Sequence, residues 1–217
     1  PDGRWIILTE TISKTAENEL GRTYEQQLSA RRLVNTEDGQ SQEIWRAPDE
    51  ETRIRALQWL PDGAVVALQQ VKRDLTTIQP APFHLLRMRP GEDRLSPVGW
   101  ETEATSVRLF VSPMTDEVFL HAQWWKLTDQ QDRVGPPEES TLEREELTAV
   151  SMDGSTRDLE LPSDPGALPY SERIVGFDHR GRLILLGAPE LDEDGIPRFK
   201  SVHALDVATG QVSAIYP

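Results

Sequence analysis

Short apolar runs recur along the chain, and a tight turn precedes each of them. Trp5-Ile-Ile-Leu8, Ala64-Val-Val-Ala-Leu68, Val118-Phe-Leu120 and Leu183-Ile-Leu-Leu186 follow, in order, Pro1-Asp2-Gly3, Pro61-Asp62-Gly63, a degenerate Pro113-Met-Thr-Asp-Glu117 and His179-Arg180-Gly181. Proline presets φ and glycine accepts φ > 0, so each site is predicted to be a turn leading into a strand. The last three also have an apolar segment ahead of the turn: Ala56–Trp59, Leu109–Val111 and Ile174–Phe177. A second set of turns alternates with the first: Asp38-Gly39, Pro90-Gly91, Asp153-Gly154 and Thr209-Gly210. These follow mixed strands at Arg32–Val34, Leu85–Met88, Leu147–Val150 and Val202–Val207, and lead into short partners such as Val212–Ile215. Both sets are hairpin signatures. No long stretch has helical apolar periodicity, and 16 Pro with 14 Gly favour strands and turns.

The spacing turns these hairpins into a repeat. From each glycine of the second set to the next turn of the first set the steps are 24, 26 and 27 residues. In the other direction they are 36, 28, 37 and 29, so one loop per unit is elastic. Four strands, two tight turns and one elastic loop predict a four-stranded antiparallel meander, the blade of a β-propeller. Four blades are expected, at about 1–54, 55–107, 108–173 and 174–217, in one propeller unit. A β-sandwich with coincident turn spacing is the competing all-β fold. The first repeat opens directly on its turn, with no apolar strand before it. The expectation is therefore a piece of a larger propeller, against a closed four-bladed ring in which Val212–Tyr216 pairs into the first blade.

The phrase Leu57-Gln-Trp-Leu-Pro-Asp-Gly63, running into a valine-rich strand, resembles the blades of TolB-like proteins. It also resembles the propeller domains of prolyl oligopeptidases. The resemblance implies a fold and no activity. The hydrolase domain that carries catalysis in the oligopeptidases has no counterpart in this sequence.

Charge narrows the classes of partner. Acidic residues number 37 against 23 basic, for a formal charge of −14, which excludes the basic face a nucleic-acid binder needs. The apolar runs are too short to insert into a bilayer. The absence of Cys removes disulfides, Cys-ligated zinc, iron–sulfur clusters and thiol catalysis. The elastic loops at 10–27, 71–82, 126–146 and 189–200 carry −7, and the connections at 46–54, 100–107 and 160–173 carry −5. Antiparallel geometry places both groups at one end of the strands, so that rim is expected to be anionic and to attract a cationic partner.

Site by site, the sequence offers few residues with recognisable chemistry. Glu190, Asp192 and Asp194, followed by Gly195, have the alternation of a calcium loop. Glu stands at the first position, however, and Ser201 stands where a bidentate Glu is required, so a solvated acidic loop is the expected reading. Calcium is the one cofactor considered. Trp124 and Trp125 stand where the third blade opens into its longest loop, and adjacent strand residues point to opposite faces. One of them can be core and the other an anchor. Trp5, Trp45, Trp59 and Trp100 are expected in the core. His84, His121, His179 and His203 are scattered without metal spacing. There is no nucleophile elbow, phosphate-binding glycine loop or zinc-protease motif. The expectation is a non-catalytic interaction or sensor module, a scaffold segment of a larger bacterial protein that presents an acidic loop face to a basic protein or peptide. Trp124, Trp125, Asp129, Asp132, Glu138 and Glu139 would be its binding set. A lyase or glycosidase using clustered carboxylates, or the gating propeller of a peptidase, are the alternatives.

Overall fold

A computed structural model of the chain describes residues 3–17, 21–71, 80–127, 140–161, 174–186, 189–191, 197–199 and 201–216. Every element among them is a β-strand, and every pairing is antiparallel. Two compact units divide the chain, Pro1–Glu103 and Ala104–Pro217.

The first unit holds two sheets. One is three-stranded, ordered β1 (Trp5–Glu17), β2 (Thr23–Asn35) and β3 (Ser41–Arg46). The other is a four-stranded meander of β4 (Arg53–Trp59), β5 (Val65–Gln70), β6 (Ala81–Met88) and β7 (Ser96–Ala104). Central strand β5 is apolar on both faces, with Val65, Val66, Ala67 and Leu68 all fully buried. That follows from its place, with hydrogen-bonded neighbours on both edges and packed side chains above and below. Ile44 of β3 joins Ile54, Val65, Ala67, Leu86, Met88 and Leu95 in one cluster, against which Ile7 and Leu33 also pack. The three-stranded sheet therefore lies on the meander.

The second unit has two four-stranded meanders. The first is β8 (Ser106–Val111), β9 (Val118–Leu127), β10 (Ser140–Val150) and β11 (Thr156–Leu159). The second is β12 (Ile174–Phe177), β13 (Arg182–Leu186), β16 (Val202–Asp206) and β17 (Val212–Tyr216), with a small hairpin, β14 (Pro189–Leu191) and β15 (Pro197–Phe199), between β13 and β16. Phe110, Phe119 and Leu147 of the first sheet meet Ile174, Leu183, Leu185 and Leu205 of the second. Phe119 and Phe177 pack edge to face at 5.0 Å. The Arg108 guanidinium crosses between the sheets and donates to the Ile174 carbonyl at 3.0 Å.

These meanders are blades of the β-propeller type, built on the predicted turns. At Pro61-Asp62-Gly63 the Gly63 amide donates to the Leu60 carbonyl at 3.0 Å, and the Leu60 amide to Ala64 at 2.8 Å. Gly63 has φ +85°, the left-handed conformation that closes a type I turn into a bulged hairpin. Asp62 Oδ1 accepts from the Ala64 amide at 2.8 Å, which explains why Asp precedes Gly there.

The same device in the second unit carries a pH signature. The Asp178 carboxylate accepts from the Arg182 amide and guanidinium and from the Arg180 amide, each within 2.9 Å. The Arg182 backbone bond is the largest cause holding its pKa at about 2, against an ordinary 3.8. Asp153 and Asp206 are also lowered, by amides at Ser155 and Thr209. A carboxylate with a depressed folded pKa adds stability that is complete above the unfolded value and lost as pH falls toward the folded one. Urea midpoints of the second unit are therefore expected to drop as pH falls from 3.8 toward 2, and Asp178→Asn should flatten that drop. An unchanged slope in the variant would refute this.

Two expectations are corrected. The first elastic loop, 10–27, is mostly strand: β1 and β2 run as arms of 13 residues each, in unbroken register from Trp5↔Asn35 to Glu17↔Thr23. Thr9, Thr11, Ile12 and Thr15 explain this, because β-branched residues suit a pleated ribbon even where the sequence is polar. Trp5, expected in the core, is 40% exposed, because β1 is the edge of its sheet.

Candidate functional site

The stem beneath the third elastic loop is where sequence placed the binding set. β9 and β10 pair as far as Leu127↔Ser140, with an irregularity between Leu142 and Arg144. Trp125 points inward, 5% exposed, and its amide donates to Thr105 Oγ1 at 3.0 Å. It belongs to the core and offers no surface to a partner. Trp124 points the other way and is half-buried, with the Arg144 guanidinium 4.3 Å from its ring centroid. Glu146 holds that guanidinium in turn, with Arg144 Nε donating to Oε1 at 2.8 Å. The alternation expected for adjacent tryptophans is present, and a cation of the chain's own already occupies the outward ring. Asp129, Asp132, Glu138 and Glu139 lie outside the described residues, as do Asp192 and Asp194. Glu190 falls in β14, opposite Arg198. Among the described residues no three His, Asp or Glu side chains form a metal-binding group.

Sequence reasoning missed a buried pair. His121, 2% exposed on central strand β9, has Nε2 3.1 Å from Glu145 Oε2 on β10. Only the β9–β10 register brings residues 24 apart together, so no local motif announces them.

A cleft of about 540 Å³ opens in the first unit, where its two sheets meet at their tight-turn ends. Trp5 of β1 and Trp59 of β4 line it, with Leu33 and the buried Met88 behind them. The turn Pro61-Asp62-Gly63 and the run Arg89–Asp93 form its rim. Its walls are pinned: Gln42 Nε2 donates to the Asp93 carbonyl at 2.6 Å, and the Leu95 amide to the Ile44 carbonyl at 2.8 Å. A Cβ placed on Gly63 would meet Pro90 Cγ at 3.7 Å, so the two turns lie close together. Three carboxylates against one arginine make the rim anionic. Asp62 and Glu92 also accept amide bonds within their own turns, Glu92 Oε2 from Arg89 at 2.7 Å. All three carboxylates are exposed. Aromatic walls under an acid rim suit a ligand that is apolar in part and cationic at one point. The sequence signal was present in the adjacency of Trp59 to Pro61-Asp62-Gly63 and the acids after Pro90-Gly91. Tight turns of this kind serve first to close hairpins, whereas sites more often sit on longer loops.

No protein-family model matches the chain, and no curated protein does either. Among solved structures it is similar to a protein assigned as a dipeptidyl aminopeptidase IV from Bacteroides ovatus, with a TM-score of 0.53 and 13% identity. The match covers 97% of this chain and 31% of that one, so the chain spans under a third of the neighbour's length. At that identity the likeness establishes the fold alone, and the fold is that of β-propeller blades.

Proposed function

We propose that this chain is a non-catalytic β-propeller module that binds a basic protein or peptide, and that the cleft of the first unit is its contact site. The observation carrying this reading is the pairing of two tryptophan walls with an exposed anionic rim on a pinned scaffold. Rigid walls keep the ordering cost of binding low, and desolvated aromatics supply contact energy. A glycosidase-type general acid calls for an apolar, poorly solvated carboxyl, whereas the cleft's acids face water. The Pro-Asp-Gly blades also fit a TolB-like interaction role.

The test is capture on a peptide array at low and high salt, comparing the native chain with Asp62→Asn/Glu92→Gln/Asp93→Asn. The amide replacements keep the turn acceptors and remove three charges. Retained peptides should combine Lys or Arg with an aromatic or aliphatic residue. The triple variant should weaken them by about tenfold, at about 0.5 kcal/mol per rim charge. Retention indifferent to both salt and the variant would refute the reading.

The structural likeness to an assigned peptidase favours a second reading, in which the blades gate access to a catalytic domain. The two readings part on one measurement: peptidase activity of the longest native form carrying this chain, with and without residues 1–217. A gating role requires that removal broadens the accepted substrate size.

A further inference from the structure

The chain has no cysteine and three methionines, Met88, Met114 and Met152, so a two-electron oxidant meets sulfur only as thioether. The fold treats the three differently. Met88 lies in the core cluster of the first unit, 4% exposed. Met152, in the turn between β10 and β11, is half-buried. Met114, in the turn between β8 and β9, is 65% exposed.

Local structure fixes how Met114 is presented. Ser112 Oγ accepts from the Met114 amide at 3.1 Å and from the Thr115 amide at 3.2 Å, which holds the turn's backbone. The stem of the side chain rests on the turn between β12 and β13. A Cβ placed on Gly181 would lie 2.7 Å from Met114 Cγ and 3.2 Å from its Cβ, closer than packed atoms allow. Gly181 also has φ +75°. Glycine there meets two demands at once, the left-handed backbone of its own turn and the seat for this side chain. With Cβ and Cγ against that seat, the exposed surface falls chiefly on Sδ and the terminal methyl.

We infer that Met114 is a reversible oxidation site, the sulfur at which a hydroperoxide modifies the folded chain. In the step, a lone pair on Sδ attacks one oxygen of hydrogen peroxide, an S–O bond forms and the O–O bond breaks. The proton of the transferred oxygen passes to the departing hydroxide, which leaves as water. Sulfur is oxidised by two electrons and the peroxide is reduced. The product is a sulfoxide, which replaces an apolar projection where the two meanders of the second unit meet with a polar, chiral hydrogen-bond acceptor. The stem keeps its seat on Gly181, so the fold tolerates the change and the sulfoxide stays within reach of a reductase. Met88 is shielded by its cluster and reacts only when the first unit opens.

The test treats the full chain with hydrogen peroxide, native and in denaturing urea, and maps the products over time by proteolysis and mass spectrometry. In the folded chain one oxygen atom should enter at Met114 at least about tenfold faster than at Met88, with Met152 between them. Met114 should react within about twofold of its own rate in urea, where all three methionines converge. Met114→Leu, a swap close in volume, should abolish the fast event and leave the rates at Met88 and Met152 unchanged. The two stereospecific methionine sulfoxide reductases, acting together on the native product, should return it to its starting mass. Met88 keeping pace with Met114 in the folded chain, or Met114 accelerating several-fold in urea, would overturn the assignment. A native product that both reductases leave untouched would overturn its reversibility.

Discussion

Trp125→Ala is expected to cost the second unit about 3–5 kcal/mol, the range for truncating a large buried aromatic. Trp125 is 5% exposed, and its backbone is fixed to Thr105, so the space left could not be filled by a small shift of β9. Trp124→Ala should cost only about 1–2 kcal/mol, because that ring is half-buried and stacks on the exposed Arg144 guanidinium, a contact worth about 0.5–1 kcal/mol. Urea midpoints of the two variants, followed by far-ultraviolet circular dichroism, measure the difference. If Trp124 proved the costlier of the two, the assignment of faces on β9 would be wrong. A cation-binding role for this stem would rest on Trp124 alone.

Ile44→Ala is expected to destabilise the first unit by about 2–5 kcal/mol. Ile44 is the one fully buried side chain of the three-stranded sheet within the cluster built from Ile54, Val65, Ala67 and Leu86. Its carbonyl also accepts from Leu95, so it holds the cleft's two walls together through both side chain and backbone. The void should therefore loosen the cleft as well as the fold. Peptide capture should fall even at temperatures where circular dichroism is native. A stable variant with unaltered capture would mean that the three-stranded sheet does not depend on this contact.

Turn chemistry was the most legible part of the sequence. Pro61-Asp62-Gly63 can be read because each residue answers a local demand: preset φ, an acceptor for Ala64, and φ > 0. The opposed directions of Trp124 and Trp125 could be read too, since strand alternation needs no tertiary information. The arms of β1 and β2 were less legible. The exposed outer end of the ribbon has no apolar face to betray it, and Thr11-Ile-Ser-Lys14 looks like a loop until its partner Lys14↔Gln26 is known. The His121–Glu145 pair and the cleft depend on register and on the meeting of two sheets, and neither leaves a mark in local sequence.

Among the described residues β1 is the edge of its sheet, which bears on self-association. An unpaired edge is a template for stacking copies of a chain into ribbons, and natural proteins guard such edges with charge. Here Glu10, Lys14 and Glu17 punctuate the strand beyond Thr9, and Glu10 is braced by Arg32 at 3.1 Å. The stretch of this edge without charge is therefore only Trp5–Thr9, too short to seed an extended fibril spine.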